Sequence, residues 1–387
     1  MTSNKNNLIV KSMFFFFSAF LLLMPFLGGL KEVNNIFHMA LILSVIYLIS
    51  AGEFRRDIFK NKHLITGLVL TSIFLFYFSI SGLWSANAGT VVSDLTHSFY
   101  IIFFILIFYI ITQHDKKNIM LALMFASVVI LCILTLIYIN KKTLLYNRLQ
   151  NGFPFAPENV IDMAGYYGIG IFCGLILLRE TGKKWLYLPI ALLFFAILLT
   201  QSRGPLFSLI VALAPLLLLI KRLHRKDWLI IALLLMAIIL AIIFSNGYNV
   251  LLHRIESSYS QSFIRFGIWE DALSYVQQKP WFGWGFGQEI NFVNEIGQRV
   301  HTTHSLYLAT LLKGGVVGGV LLLMVIVYGA YMAWQHFKAH RALEASMLLF
   351  SLLFYTTQGM FVIGNPGTPW VLFWFPLALV MAQPGRR

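Results

Sequence analysis

Apolar residues in this chain come in long blocks separated by short polar connections. Twelve blocks reach or approach the ~20 residues that a helix needs to cross a hydrocarbon layer. They lie at roughly 12–30, 36–51, 64–84, 93–112, 118–139, 160–178, 185–201, 204–220, 228–245, 304–334, 342–362 and 368–383. The pattern predicts an all-α polytopic integral membrane protein of about 12 transmembrane helices, organised as one membrane domain over residues 1–387. One interval departs from it. Residues 246–303, before the tenth span, form the only long hydrophilic segment and are expected as a large loop on one side of the membrane.

Within that loop, 262–276 reads as an amphipathic helix. Ile264, Ile268, Leu273 and Val276 approximate a helical stripe, and Glu270 and Asp271 are polar. The PWFGWGFG that follows alternates Gly283, Gly285 and Gly287 with aromatic residues. No strand precedes it and no βαβ unit follows, so it is not a dinucleotide fingerprint. It reads as a tight aromatic turn at the membrane interface, with Trp284 a candidate platform for a sugar ring or a polyprenyl chain. The tenth span is unusually long, and its first turns are expected to stand outside the bilayer. Gly314, Gly315, Gly318 and Gly319 predict either close approach to a neighbouring helix or a break near its outer end.

Composition agrees with the pattern. A mean hydropathy of +0.78, with 59% hydrophobic and 11% charged residues, lies outside the range of soluble domains. Lys5 and Lys11 precede the first block, whose length and flanks suit a retained span better than a cleaved signal peptide. Cys132 and Cys173 both fall inside spans, so no disulfide is expected.

The net charge of +14 is first a topology signal and does not imply a nucleic-acid partner. With a cytoplasmic N-terminus, both termini and every second connection face inward. Those segments carry 19 of the 29 Lys and Arg residues, as the positive-inside rule requires. The outward basic residues work against that rule, so they are candidates to meet an anion. Arg148 lies in an outward connection rich in Asn, Gly and Pro, as an anion contact or as a structural arginine. Arg203 sits in the short TQSRGP connection at the membrane edge, on a Gly-Pro break that frees backbone N–H groups. It is a functional candidate there, with interfacial snorkelling as the alternative. Arg265 opens the amphipathic helix of the large loop, and Lys313 lies in the tenth span.

His301 and His304 are three residues apart, but no carboxylate or cysteine stands near enough in sequence to complete a metal set. No metal or other cofactor is expected. A neutral histidine at the water interface suits proton transfer near pH 7, with a purely structural histidine as the alternative. Transport is the rival class for any many-span chain. Coupled transporters place ionisable residues near the bilayer midplane, whereas Asp162 and Glu344 here lie near span ends.

The QSRG at 201–204, the RFGIWEDAL and PWFGWGFG of the large loop, and the His304 segment occur in a characteristic order. His304, Ser305, Gly315 and Gly318 meet the pattern His, then Asn, Ser or Gln, nine residues, then Gly-x-x-Gly. In these features the chain resembles the O-antigen ligase family, within the superfamily that also holds O-antigen polymerases and protein O-oligosaccharyltransferases. The motifs occupy residues 201–319.

The resemblance implies a metal-independent, inverting glycosyltransferase of the bacterial inner membrane with a periplasmic active site. It would move O-antigen polysaccharide from undecaprenyl diphosphate to lipid A-core in lipopolysaccharide biosynthesis. It further implies Arg203 and Arg265 on the donor diphosphate and His304 as general base. Arg148 and Lys313 match less closely and, with His301 and Trp284, are candidate substrate contacts; membrane lipids are the remaining partners. The polymerases' paired Arg-x10-Gly pattern is absent, since Asn159 and Val276 stand eleven residues after Arg148 and Arg265. The protein transferases are usually longer, with a soluble C-terminal portion.

Overall fold

A computed structural model describes residues 2–139, 148–149, 153–217, 265–289, 291–293, 299–359 and 361–382. The ninth expected span, 228–245, lies outside them, as do Ile264 and residues 246–264 of the large loop.

The described chain is almost wholly helical. It runs α1 (Thr2–Leu27), α2 (Lys31–Ser50), α3 (Gly52–Lys60), α4 (Lys62–Ser81), α5 (Val91–Gln113), α6 (Lys117–Tyr138), α7 (Val160–Thr181), α8 (Tyr187–Thr200) and α9 (Arg203–Leu217). After helix α10 (265–278) come a two-residue hairpin, β1 (Phe292–Val293) with β2 (Arg299–Val300), then α11 (Leu306–Lys338), α12 (Ala342–Phe354) and α13 (Phe375–Met381). Among the described residues, seven helices are long and apolar enough to cross a membrane, and four shorter apolar segments accompany them. This is an all-α polytopic membrane protein. Large apolar side chains such as Phe76, Leu188, Phe207 and Leu323 remain on its outer surface, as lipid-facing positions do.

The bundle is built around α7, of whose apolar window 89% is buried. It packs on α6, α8, α9 and α12. Small residues permit this: a Cβ at Gly165 would meet the Phe354 ring at 2.8 Å, and one at Gly168 would overlap the Phe350 ring. At the far end of α7, buried Glu344 at the start of α12 accepts two bonds from Arg179, at 2.7 and 2.9 Å, and one from Lys117 at 3.3 Å. That network ties α6, α7 and α12 together at one end of the bundle. The candidate site lies at the other.

Four local outcomes differ from the hydropathy pattern. The GEFRRDIFK connection forms the short helix α3, with Ile58 buried while Arg55, Arg56 and Lys60 stay exposed. The eleventh span stops at Phe354, residues 355–359 and 361–367 are not helical, and Gly359 lies where a Cβ would overlap Thr302 and the His304 backbone. The last span begins as a π-turn, Trp370–Trp374. Pro376 cannot donate to the carbonyl of Leu372, and the Ser351 hydroxyl donates to it instead. Lastly, the buried face of α10 is Ile268, Ala272 and half-buried Val276, whereas Leu273 is 47% exposed. A spacing of four keeps one face of a helix, and Leu273 falls off it.

Candidate active site

The site is assembled from four chain segments, beginning where α8 ends and α9 starts. Gln201 takes the left-handed conformation, φ 53°, which reverses the chain between the two helices. Arg203 is then the exposed first residue of α9, at the positive dipole end of that helix. Arg148 arrives from the connection between α6 and α7. Its Nε donates to the Thr200 carbonyl at 3.0 Å and its Nη2 to the Ser202 hydroxyl at 2.7 Å. It therefore caps the C-terminus of α8 and secures the residue next to Arg203.

The second segment is α10, carrying Arg265 at its start. Trp269, one turn along, donates its indole N–H to the Thr303 carbonyl at 2.9 Å, which fastens α10 to the HTTH strand. That strand is the third segment. Each threonine hydroxyl accepts from the backbone N–H two residues on, Thr302 from His304 at 3.2 Å and Thr303 from Ser305 at 3.3 Å. These small turns bring His304 to φ 49°, a conformation uncommon outside glycine and concentrated at functional sites. His304 is half-buried, and its Nδ1 has no hydrogen-bond partner among the described residues. The fourth segment, Thr357–Gly359, is wedged between the others. A Cβ at Gly204 would overlap the Thr357 hydroxyl, and one at Gly359 would overlap the backbone of His304.

Charge links the three central residues. Arg265 lies partly buried within the field of Arg203, and burial first, then that neighbouring charge, lowers its pKa. His304 lies in turn within the field of Arg265. Burial and, second, the arginine charge hold its pKa below the ordinary histidine value, which leaves a neutral imidazole at pH 7. Arg203, Arg265 and His304, separated by up to about a hundred residues of chain, are thus electrostatic neighbours. Two permanently charged guanidinium groups within one another's field suit a multiply charged anion. A neutral imidazole next to them can accept a proton.

The remaining candidates are placed differently. Lys313 donates to the Phe286 carbonyl at 2.7 Å and lies over the Phe286 ring at 4.8 Å. The Trp284 indole donates to the Tyr275 carbonyl at 2.9 Å, and the Lys279 ammonium lies 4.1 Å from its ring centre. Trp284 belongs to the aromatic turn, and Lys313 of α11 holds on to it. His301 is exposed on the strand leading to His304. No cluster of three or more His, Cys, Asp or Glu side chains that could hold a metal gathers among the described residues.

The aromatic turn has a definite seat. Gly315 has φ 60° and ψ −161°, so α11 breaks there, and four backbone groups of the break lose their helical partners. The turn supplies replacements. Trp284 N–H bonds to Leu312 O at 3.0 Å, Gly285 N–H to Lys313 O at 2.8 Å, Val316 N–H to Pro280 O at 2.7 Å and Val317 N–H to Trp281 O at 3.1 Å. Tyr77 of α4 donates to the Gly314 carbonyl at 2.6 Å. The unusual length of the tenth span is thereby explained. Residues 316–338 alone make ~34 Å of helix, enough for a hydrocarbon core of ~30 Å, and 306–314 is a separate piece that places His304.

A profile of the O-antigen ligase family matches residues 188–323, the stretch that contains Arg203, Arg265 and His304. An O-antigen ligase of Pseudomonas aeruginosa is 33% identical over 198 residues, covering 50% of this chain and 46% of that protein. Over these residues the chain is similar to the O-antigen ligase family, and the match spans about half the length of that relative. The O-antigen ligase match takes in α9, α10, the aromatic turn and the break in α11. Arg148, Asp162 and Thr357–Gly359 lie outside it. The last two were not legible as site residues in the sequence. Their only signal was an acid near the start of the sixth span and a Thr-Thr-Gln-Gly run inside an otherwise apolar block.

Proposed function

We propose that this chain is a member of the O-antigen ligase family and a glycosyltransferase of the bacterial inner membrane. It moves O-antigen polysaccharide from undecaprenyl diphosphate to a sugar hydroxyl of lipid A-core on the periplasmic face, with both termini in the cytoplasm. The observation that carries the reading is the gathering of Arg203, Arg265 and His304 from three separate segments into one electrostatic unit.

The chemistry follows from those groups. The acceptor oxygen attacks the anomeric carbon, and the bond from that carbon to the diphosphate oxygen breaks. Negative charge grows on the leaving diphosphate, where Arg203, Arg265 and the N-terminus of α9 stabilise it. The acceptor hydroxyl loses its proton to neutral His304. A single displacement inverts the anomeric configuration. The two guanidinium groups take the part that a metal ion has in other diphosphate chemistry, so neither metal nor nucleotide is required. Arg148 steadies the Arg203 turn, and the aromatic turn with Trp284 and Lys313 holds the loop over the broken helix; His301 lines the approach to His304.

The test is gel analysis of glycolipids from a deletion strain, with the undecaprenyl-linked glycan sized in parallel. Bare lipid A-core together with long polymer still on its carrier is the expected result. Core capped by a single repeat would indicate a polymerase, and unchanged glycolipid with unglycosylated protein a protein transferase. Proton- or sodium-dependent flux in proteoliposomes would indicate a transporter. Complementation with Arg203→Ala, Arg265→Ala or His304→Ala is expected to lower transfer about 10²- to 10³-fold in folded protein. Wild-type transfer by Arg203→Ala and His304→Ala would overturn the assignment.

A further inference from the structure

The segment Thr357–Gly359 touches both halves of the proposed site, and its own anchor lies in α7. Asp162, in the first turn of α7, is 2% exposed and accepts a hydrogen bond from the side-chain amide of Gln358, itself 4% exposed. The Gln358 side-chain oxygen accepts from the Gly359 N–H at 3.2 Å, which holds the next residue in place. Gly359 then lies against the backbone N and Cα of His304, so closely that no side chain fits. On its other side, Thr357 lies against Gly204, next to Arg203. A second tie runs parallel, from the Leu306 N–H to the Tyr355 carbonyl at 3.1 Å.

A carboxylate is expensive to bury, and its placement here has a physical rationale. The N-terminal turn of α7 offers free N–H groups and a positive dipole end, which lower the cost. Since α7 is the most enclosed of the candidate spans, a group fixed to its first turn is a rigid reference point. His304, by contrast, sits on a short non-helical strand at a positive φ, a geometry that persists only when its surroundings over-determine it.

We infer that the Asp162–Gln358 hydrogen bond is a positioning device that sets His304, through Gly359, relative to Arg203. The inference rests on the proposed role of His304 as base. Asp162 and Gln358 touch no reacting atom in this scheme. Their effect is on the fraction of bound complexes in which the base and the anion receptor stand at reacting distance, so it falls on turnover and spares substrate binding.

The experiment uses the full-length protein in nanodiscs, with purified lipid-linked donor and lipid A-core, and separates kcat from KM for each substrate. Gln358→Ala and Asp162→Ala are expected to lower kcat about 10- to 100-fold with both KM values unchanged. Asp162→Asn keeps an oxygen able to accept from Gln358 and is expected to turn over at the wild-type rate. The milder Gln358→Asn, whose amide is one methylene short of Asp162, stands in should the alanine variants fail to fold and is expected to lose kcat likewise. A kcat per folded molecule unchanged in the Gln358 variants would overturn the inference. So would an Asp162→Asn enzyme as slow as Asp162→Ala, because the charge and not the hydrogen bond would then matter. His304→Ala runs alongside. If it transfers normally, the reading of His304 itself fails; if it is inactive while the Gln358 variants are not, only the positioning inference falls.

Discussion

Gly315→Ala is the sharpest perturbation the fold offers. Gly315 sits at φ 60°, ψ −161°, a backbone region open essentially to glycine alone, and a Cβ there would lie 2.7 Å from the Gly283 nitrogen and overlap the Trp281 carbonyl. The conformational penalty for alanine is about 1–3 kcal/mol. The chain can escape by straightening α11, which lets Val316 and Val317 donate to Leu312 and Lys313 within the helix. The aromatic turn then loses the four bonds that seat it, each worth roughly 0.5–1.5 kcal/mol net. Part of that loss is recovered when water reaches the freed groups, so the turn is expected to be displaced by roughly 2–4 kcal/mol, a shift of about 30- to 1000-fold in the docked population. Hydrogen–deuterium exchange in nanodiscs reads this at the Trp284 and Gly285 amides, whose protection is expected to fall by that factor. Gly319→Ala is the control. Gly319 is helical, and a Cβ there meets only the flexible Leu311 side chain at 2.7 Å, so protection of the turn is expected to hold. Full protection of Trp284 and Gly285 in Gly315→Ala would refute the idea that the break and the turn sustain each other.

Other consequences can be checked separately. Because burial and the Arg265 charge depress the pKa of His304, transfer is expected to fall as pH drops through a midpoint below the ordinary value of about 6.5. Arg265→Gln removes one of those causes, so its residual activity is expected to show the acid limb moved to higher pH; an unmoved limb would mean that His304 is not the group titrating. At the opposite end of the bundle, Arg179→Leu leaves wholly buried Glu344 with Lys117 as its remaining cation, at a cost of about 3 kcal/mol. Glu344→Leu leaves two cations that are already partly exposed, 29% and 18%, and is expected to cost less, about 1 kcal/mol. Thermal unfolding in detergent would show the order, and the reverse order would discount the network. Gly168→Leu, placing a side chain against the Phe350 ring, is expected to prevent α7 from packing and to abolish folded protein in fluorescence size-exclusion chromatography.

Local composition determined a good deal of this protein. The class of fold, the order of the spans and most of their ends follow from apolar runs, because the cost of burying a polar backbone in lipid is met one helix at a time and so is written in consecutive residues. The residue types of the candidate site were visible for the same reason: Arg203, Arg265 and His304 stand out as polar groups next to apolar blocks. Tertiary structure decided the rest. That α11 is two pieces depends on a turn some thirty residues earlier supplying partners to its broken ladder. That the segment after Phe354 closes on His304 is visible only in the packing of Gly359, and which face of α10 is buried depends on Ala272, too small to register in a hydrophobic stripe. Arg148 is seen as a cap on α8 only once Thr200 and Ser202 are beside it. Hydropathy reports the surroundings of each helix averaged over its length, whereas the meeting of Asp162, Gln358 and His304 depends on which helices are neighbours, a relation between distant residues that no single segment encodes.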